Sequence, residues 1–132
     1  MDMERSHQMS LVKCKDTKPE LVIRRLVWGM GYRYRLYDGK LPGKPDIVFK
    51  SRHKVIFVHG CFWHRHDGCK NARMPKTRLD FWEKKLSGNH LRDLENQKKL
   101  VYLGWSFLVI WECELKNLMN VETKIIDFLD KI

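Results

Sequence analysis

Two apolar runs, Val55 to Val58 and Trp105 to Trp111, constrain this chain more than any other feature, because the stretch between them carries helical periodicity. A strand, a helix and a second strand in that order require a crossover, so the two strands are expected to run parallel as neighbours in one sheet. Their carboxyl ends then share an edge. His59-Gly60-Cys61 follows the first strand and Glu112-Cys113 the second, so Cys113 is expected to reach Cys61 despite more than fifty intervening positions. Open α/β sheets bind ligands at that edge.

Around this unit the other elements can be placed. Thr17-Lys18-Pro19-Glu20 has the form of a capping box with proline in the first turn. Leu21, Val22, Ile23, Leu26, Val27 and Met30 follow at helical spacing up to Gly31, which predicts a helix over about 18 to 30. Tyr32 to Tyr37 alternates aromatic or apolar with basic residues, as a half-buried strand does, and Asp38 to Pro45 is a turn. Strands at Asp46 to Phe49 and Val55 to Val58, linked by Ser51-Arg52-His53-Lys54, complete an expected three-strand meander. Thr77 to Leu86 and Leu91 to Leu103 are predicted as two helices, the second stopped by Gly104. Val121 to Ile132 is predicted as a closing helix with Ile125, Ile126, Phe128, Leu129 and Ile132 on its apolar face. The order implies an α/β fold, a mixed sheet with helices on both faces.

At 132 residues the chain is expected to form one domain over 16–132, preceded by a polar arm, 1–15, that is poorly ordered in isolation. Lys and Arg number 26 against 16 Asp and Glu, a formal charge of +10 spread from Arg24 to Lys131. A polyanionic partner, nucleic acid first, fits that excess, although a ribosomal or structural basic protein would carry the same charge. No apolar run approaches membrane-spanning length, and Met1 to Ser10 lacks the apolar core of a signal peptide. The expectation is a cytoplasmic protein without membrane contact, its thiols reduced, in which cysteines near histidines point to metal.

His59 to Cys69 packs three histidines, two cysteines, Phe62 and Trp63 into eleven residues, a mixture that neither a strand nor a helix stripe requires. Cys61, His66, Cys69 and Cys113 have the composition of a closed Cys3His zinc site, with His64 an alternative to His66. Without metal, Cys113 is a small buried residue and the loop cysteines are ordinary thiols. Asp46, Glu20 and Asp93 each have a commonplace explanation in a turn, a cap or a helix start. Together with His59 and His64 they supply oxygen ligands for a hard cation and imidazoles that can move protons, as phosphodiester hydrolysis needs. Phe62, Trp63 and Trp82 on a basic protein suggest insertion between base pairs, although Phe81-Trp82 on a helix also suits a core.

These residues bring out a resemblance. Arg5-Ser6 with Met9, Asp16-Thr17-Lys18-Pro19-Glu20, Leu41-Pro42-Gly43-Lys44-Pro45-Asp46, Phe57 to His64 and Trp111-Glu112-Cys113 are similar to blocks of the very short patch repair endonucleases, the Vsr family. The resemblance implies a restriction-endonuclease-like fold with a structural zinc (Zn2+) loop. It implies a magnesium (Mg2+) dependent nick 5′ to the thymine of a T·G mismatch left by 5-methylcytosine deamination. Double-stranded DNA carrying that mismatch would be the partner of an expected monomer, with mismatch-repair proteins as further partners. By position, Asp46 would be the central magnesium ligand beside the backbone carbonyl of Val58, and His59, His64, Asp93 and Glu20 would complete the centre, His64 acting as general base held by Asp93. The same resemblance assigns zinc to Cys61, His66, Cys69 and Cys113, puts Phe62, Trp63 and Trp82 into the DNA beside the mismatch, and orders the arm against the opposite groove. Val58-His59 stands where the wider nuclease superfamily has an acid-x-Lys pair. A rival class, a zinc-stabilised module that binds distorted duplex without cutting, accounts for charge, zinc and aromatics but not for the cluster of acids and histidines.

Overall fold

The computed structural model describes residues 17–66, 68, 69, 72, 74 and 76–130. The arm 1–15, Cys14 and Ile132 lie outside the described residues. Helix α1 spans Lys18–Gly29, strands β1, β2 and β3 span Arg35–Leu36, Ile47–Phe49 and Lys54–His59, helix α2 spans Leu79–Tyr102, strand β4 spans Ser106–Trp111, and helix α3 spans Leu118–Asp130. The four strands form one sheet in the order β1-β2-β3-β4, antiparallel through β3 and parallel between β3 and β4. The crossover expected from the sequence is thus present, with α2 as its helix.

Alternation along the strands divides the core. Ile56 and Val58 of β3, with Ile47, Phe49 and Ile110, pack against Ile23 and Val27 of α1 and Val121, Ile125 and Leu129 of α3. Val55, Phe57 and Val48 face the other way, onto Leu100 of α2 with Phe107, Val109 and Trp105 around it. With helices on both faces, Val55 to His59 are all buried, which is why β3 reads as a continuous apolar run. No helix among the described residues is long and apolar enough to cross a membrane.

Four local expectations change. The strand expected over Tyr32 to Tyr37 pairs only at Arg35–Leu36, because Tyr37 takes φ of +51°, which leaves the extended region. The two helices expected over 77–86 and 91–103 are one, of 24 residues. A helical glycine such as Gly88 costs about 1 kcal/mol relative to alanine. Burying Trp82, Leu86 and Leu100 along α2 contributes roughly 1.5–3 kcal/mol each and outweighs it. In α3, Ile126 is 39% exposed and does not share the buried face of Val121, Ile125 and Leu129. His59, expected just past the strand, is its last residue and pairs with Trp111.

Candidate functional site

The chain leaves β3 at His59 through two tight turns, with the His64 amide donating to the Gly60 carbonyl at 3.1 Å and the His66 amide to the Cys61 carbonyl at 3.0 Å. The Cys61 amide donates to Glu112 Oε1 at 3.0 Å, which ties this loop to the end of β4. As a result the ligand atoms of Cys61, His66, Cys69 and Cys113 lie within 4.8 Å of one another. Burial, and after it the crowding of Cys113 and Cys69, pushes the Cys61 thiol up to about 12, and burial raises Cys113 too. Three thiols and an imidazole converging on one point, with burial the main brake on ionisation of Cys61 and Cys113, is a donor set that a borderline-soft divalent cation satisfies by replacing the protons. His64 is not part of it.

His64 turns the other way. Its Nδ1 lies 2.6 Å from Asp93 Oδ2 of α2, and its ring stacks on His59 at 3.8 Å between centroids and 6° between planes. Burial, reinforced by the charge of His64, lowers His59 to about 3, Asp93 only partly opposing, so His59 is neutral at physiological pH. Asp46, just before β2, accepts from the Val58 amide at 2.7 Å and shares a hydrogen bond with Glu20. Its carboxyl is pushed up to about 7 by burial and by Glu20, against the lowering effect of the Val58 amide. Thr17 caps α1, its Oγ1 accepting from the Glu20 amide, while the buried Glu20 carboxylate holds Arg24 and the Tyr37 hydroxyl.

These groups line one cleft of about 780 Å³: Glu20, Asp46, Val58, His59, His64 and Asp93, with Phe62 and Trp63 at its side. The three aromatics pack edge to face, centroids 5.2 Å apart for Phe62–Trp63, 5.5 Å for Phe62–Trp82 and 6.1 Å for Trp63–Trp82. Phe62 and Trp63 are half-buried, and Trp82 beneath them is buried. The cleft also takes in residues to which sequence reasoning gave no role there, among them Tyr37, Lys44, Lys85, Asn96, Gln97 and Glu112. Lys85, Asp93, Asn96 and Gln97 all belong to α2. Their spacing on one helix face is a signal the sequence carries, and a break between Leu86 and Leu91 hides it.

A family model described as DNA mismatch endonuclease Vsr matches residues 1–71. The type II nicking enzyme V.XorIIP of Xanthomonas oryzae pv. oryzae is 46% identical over 96% of this chain and 92% of its own. The chain belongs to the Vsr family. Among other relatives, the type II nicking enzyme V.NmeAIP of Neisseria meningitidis is 43% identical, over 86% of this chain and 81% of its own. The DNA mismatch endonuclease Vsr of Escherichia coli is 41% identical, over 86% and 72%. This Vsr-family chain is therefore an endonuclease, and the mixed sheet between helices is its nuclease fold. The family match covers Glu20, Asp46, both cleft histidines and three of the four thiol-cluster residues, while Asp93 and Cys113 fall within the 126 residues aligned with the Xanthomonas relative.

Proposed function

We propose that this Vsr-family endonuclease nicks one strand of DNA 5′ to the thymine of a T·G mismatch, with magnesium in the cleft and zinc in the thiol cluster. The observation that carries the reading is the meeting of two kinds of group in one cleft: the paired carboxylates of Glu20 and Asp46, and the His59–His64–Asp93 set. Two buried carboxylates sharing a hydrogen bond, one of them held protonated up to about pH 7, fit a hard divalent cation that offsets their repulsion. Asp46, Glu20 and the Val58 carbonyl would hold it. When bound, such an ion supplies charge stabilisation at the phosphate and the leaving oxygen.

The chain's own groups do the rest. Asp93 accepts from Nδ1–H of His64, which sets the tautomer and leaves Nε2 as the basic nitrogen for taking a proton from water. His59, neutral and stacked on that ring, fixes its plane without adding charge. Phe62 and Trp63, resting on Trp82, offer apolar surface beside the reacting groups. Wedging such rings into a duplex costs a few kcal/mol in unstacking per step, and a mismatched step is already weakened, so insertion favours T·G over paired DNA.

Strand-specific labelling of a T·G duplex, with and without magnesium, tests the reading. Asp46→Ala should abolish nicking while DNA binding persists, since it removes a cation ligand and no phosphate contact. Near wild-type nicking by that variant would move the centre elsewhere, and equal cutting of T·A duplex would end the mismatch assignment.

A further inference from the structure

Tyr37 and Arg24 have no part in the chemistry above, yet both converge on one oxygen of it. The Tyr37 hydroxyl donates to Glu20 Oε2, Arg24 Nη2 donates to the same oxygen at 3.1 Å, and the same Nη2 lies 2.5 Å from the Tyr37 oxygen. Arg24 stands one turn after Glu20 on α1, with side-chain exposures of 11% and 4%, so water screens this pair little. Tyr37 arrives from the end of β1 through a φ of +51°, a conformation that costs an aromatic residue energy and that persists where surrounding contacts compensate. Here it turns the ring off the sheet edge, and the hydroxyl meets α1.

Glu20 is thus gripped at one oxygen by two donors, and its carboxyl also shares a hydrogen bond with Asp46. Two neighbouring carboxylates repel when both are ionised, and an unrestrained glutamate would relieve this by rotating away. Both donors take the same oxygen, Oε2, and so fix the direction of the carboxylate. We propose that Arg24 and Tyr37 are positioning residues that lock the Glu20 carboxylate toward Asp46, so that the pair is a preformed oxygen site for a divalent cation. This rests on the reading of Asp46 as a cation ligand.

The test uses the full chain with its thiol cluster loaded, titrated with Mn2+ and followed by the electron paramagnetic resonance signal of the unbound ion. Tyr37→Phe removes one oxygen and should raise the dissociation constant for Mn2+ about tenfold, because binding must then reorient a Glu20 carboxylate that the lost hydrogen bond no longer holds in place. The magnesium concentration for half-maximal nicking should rise in parallel, with the rate at saturating magnesium nearly kept. A merely structural role would instead lower the melting temperature and the saturated rate without moving cation affinity. Arg24→Gln should weaken Mn2+ binding likewise; if that variant fails to fold, Tyr37→Phe decides alone. Unaltered affinity in Tyr37→Phe overturns the proposal. Asp46→Asn separates this failure from a deeper one, since retained Mn2+ binding there would overturn the cation site itself and the clamp with it.

Discussion

Asp46 is where burial and charge oppose each other most directly. Its carboxyl, 3.8 in an unfolded chain, is raised to about 7 in the fold by burial and by Glu20. Because the folded value is the higher, the stability attached to this group is complete below about pH 4 and is lost as pH rises through 7. In magnesium-free buffer Asp46→Asn should therefore gain on the wild type as pH climbs from 4 to 8. Urea midpoints at pH 4, 6 and 8 measure this, and a pH-independent difference would contradict it. His59 has the reverse sign: its lowered value adds stability above pH 6.5 that is lost as pH falls toward 3. For His64→Ala, single-turnover nicking should fall at least ~10²-fold, as loss of a general base does. Asp46, Glu20 and Asp93, each commonplace alone, were legible only as a set with His59 and His64, and the structure gathers that set in one cleft. Arg24 and Tyr37 were not legible, because nothing in the sequence says that Tyr37 adopts a left-handed backbone and turns its hydroxyl onto α1.

Among the elements, α2 carries the most information. Ser87-Gly88-Asn89 looks like a stop, and local preference alone would end a helix there. The helix continues because its partners are supplied by the sheet and the loop: Leu100 packs under Val55 and Phe57, and Asn89 Nδ2 donates to the Trp63 carbonyl at 3.3 Å. A Cβ added at Gly88 would meet nothing within 4 Å. Gly88→Ala should hence stabilise the protein by about 0.5–1 kcal/mol, read from the thermal midpoint. Loss of stability would mean that the glycine is needed for something other than helix continuity. The helix α1 and strands β2, β3 and β4 were legible to within a residue or two, since period and caps agree with packing there. β1 fell short because alternation marks which side chains face inward, and Tyr32 and Tyr34 do pack against the core, but it does not say how far the backbone pairs.

At the scale of the whole molecule, the parallel pairing of β3 and β4 brings two distant segments to one edge, and two clusters are assembled there. Cys113 closes the thiol cluster from the far side of the crossover, with its Sγ 3.4 Å from His66 Nδ1. Elemental analysis should find about one zinc per chain. Cys113→Ala should lose most of it and melt at least ~10 °C lower, because structural zinc binding is coupled to folding. Folded, active protein without zinc would refute this. The pairing of Cys61 with Cys113 followed from topology alone, whereas spacing left His64 and His66 interchangeable and the turns after Gly60 send them apart. Between the two clusters stands one indole: Trp111 stacks on His66 of the thiol cluster at 4.1 Å and meets His59 of the cleft edge-on at 5.2 Å. A party wall of that kind means neither room can be moved alone, and a protein engineer grafting this cleft onto another parallel sheet would have to carry the thiol cluster with it.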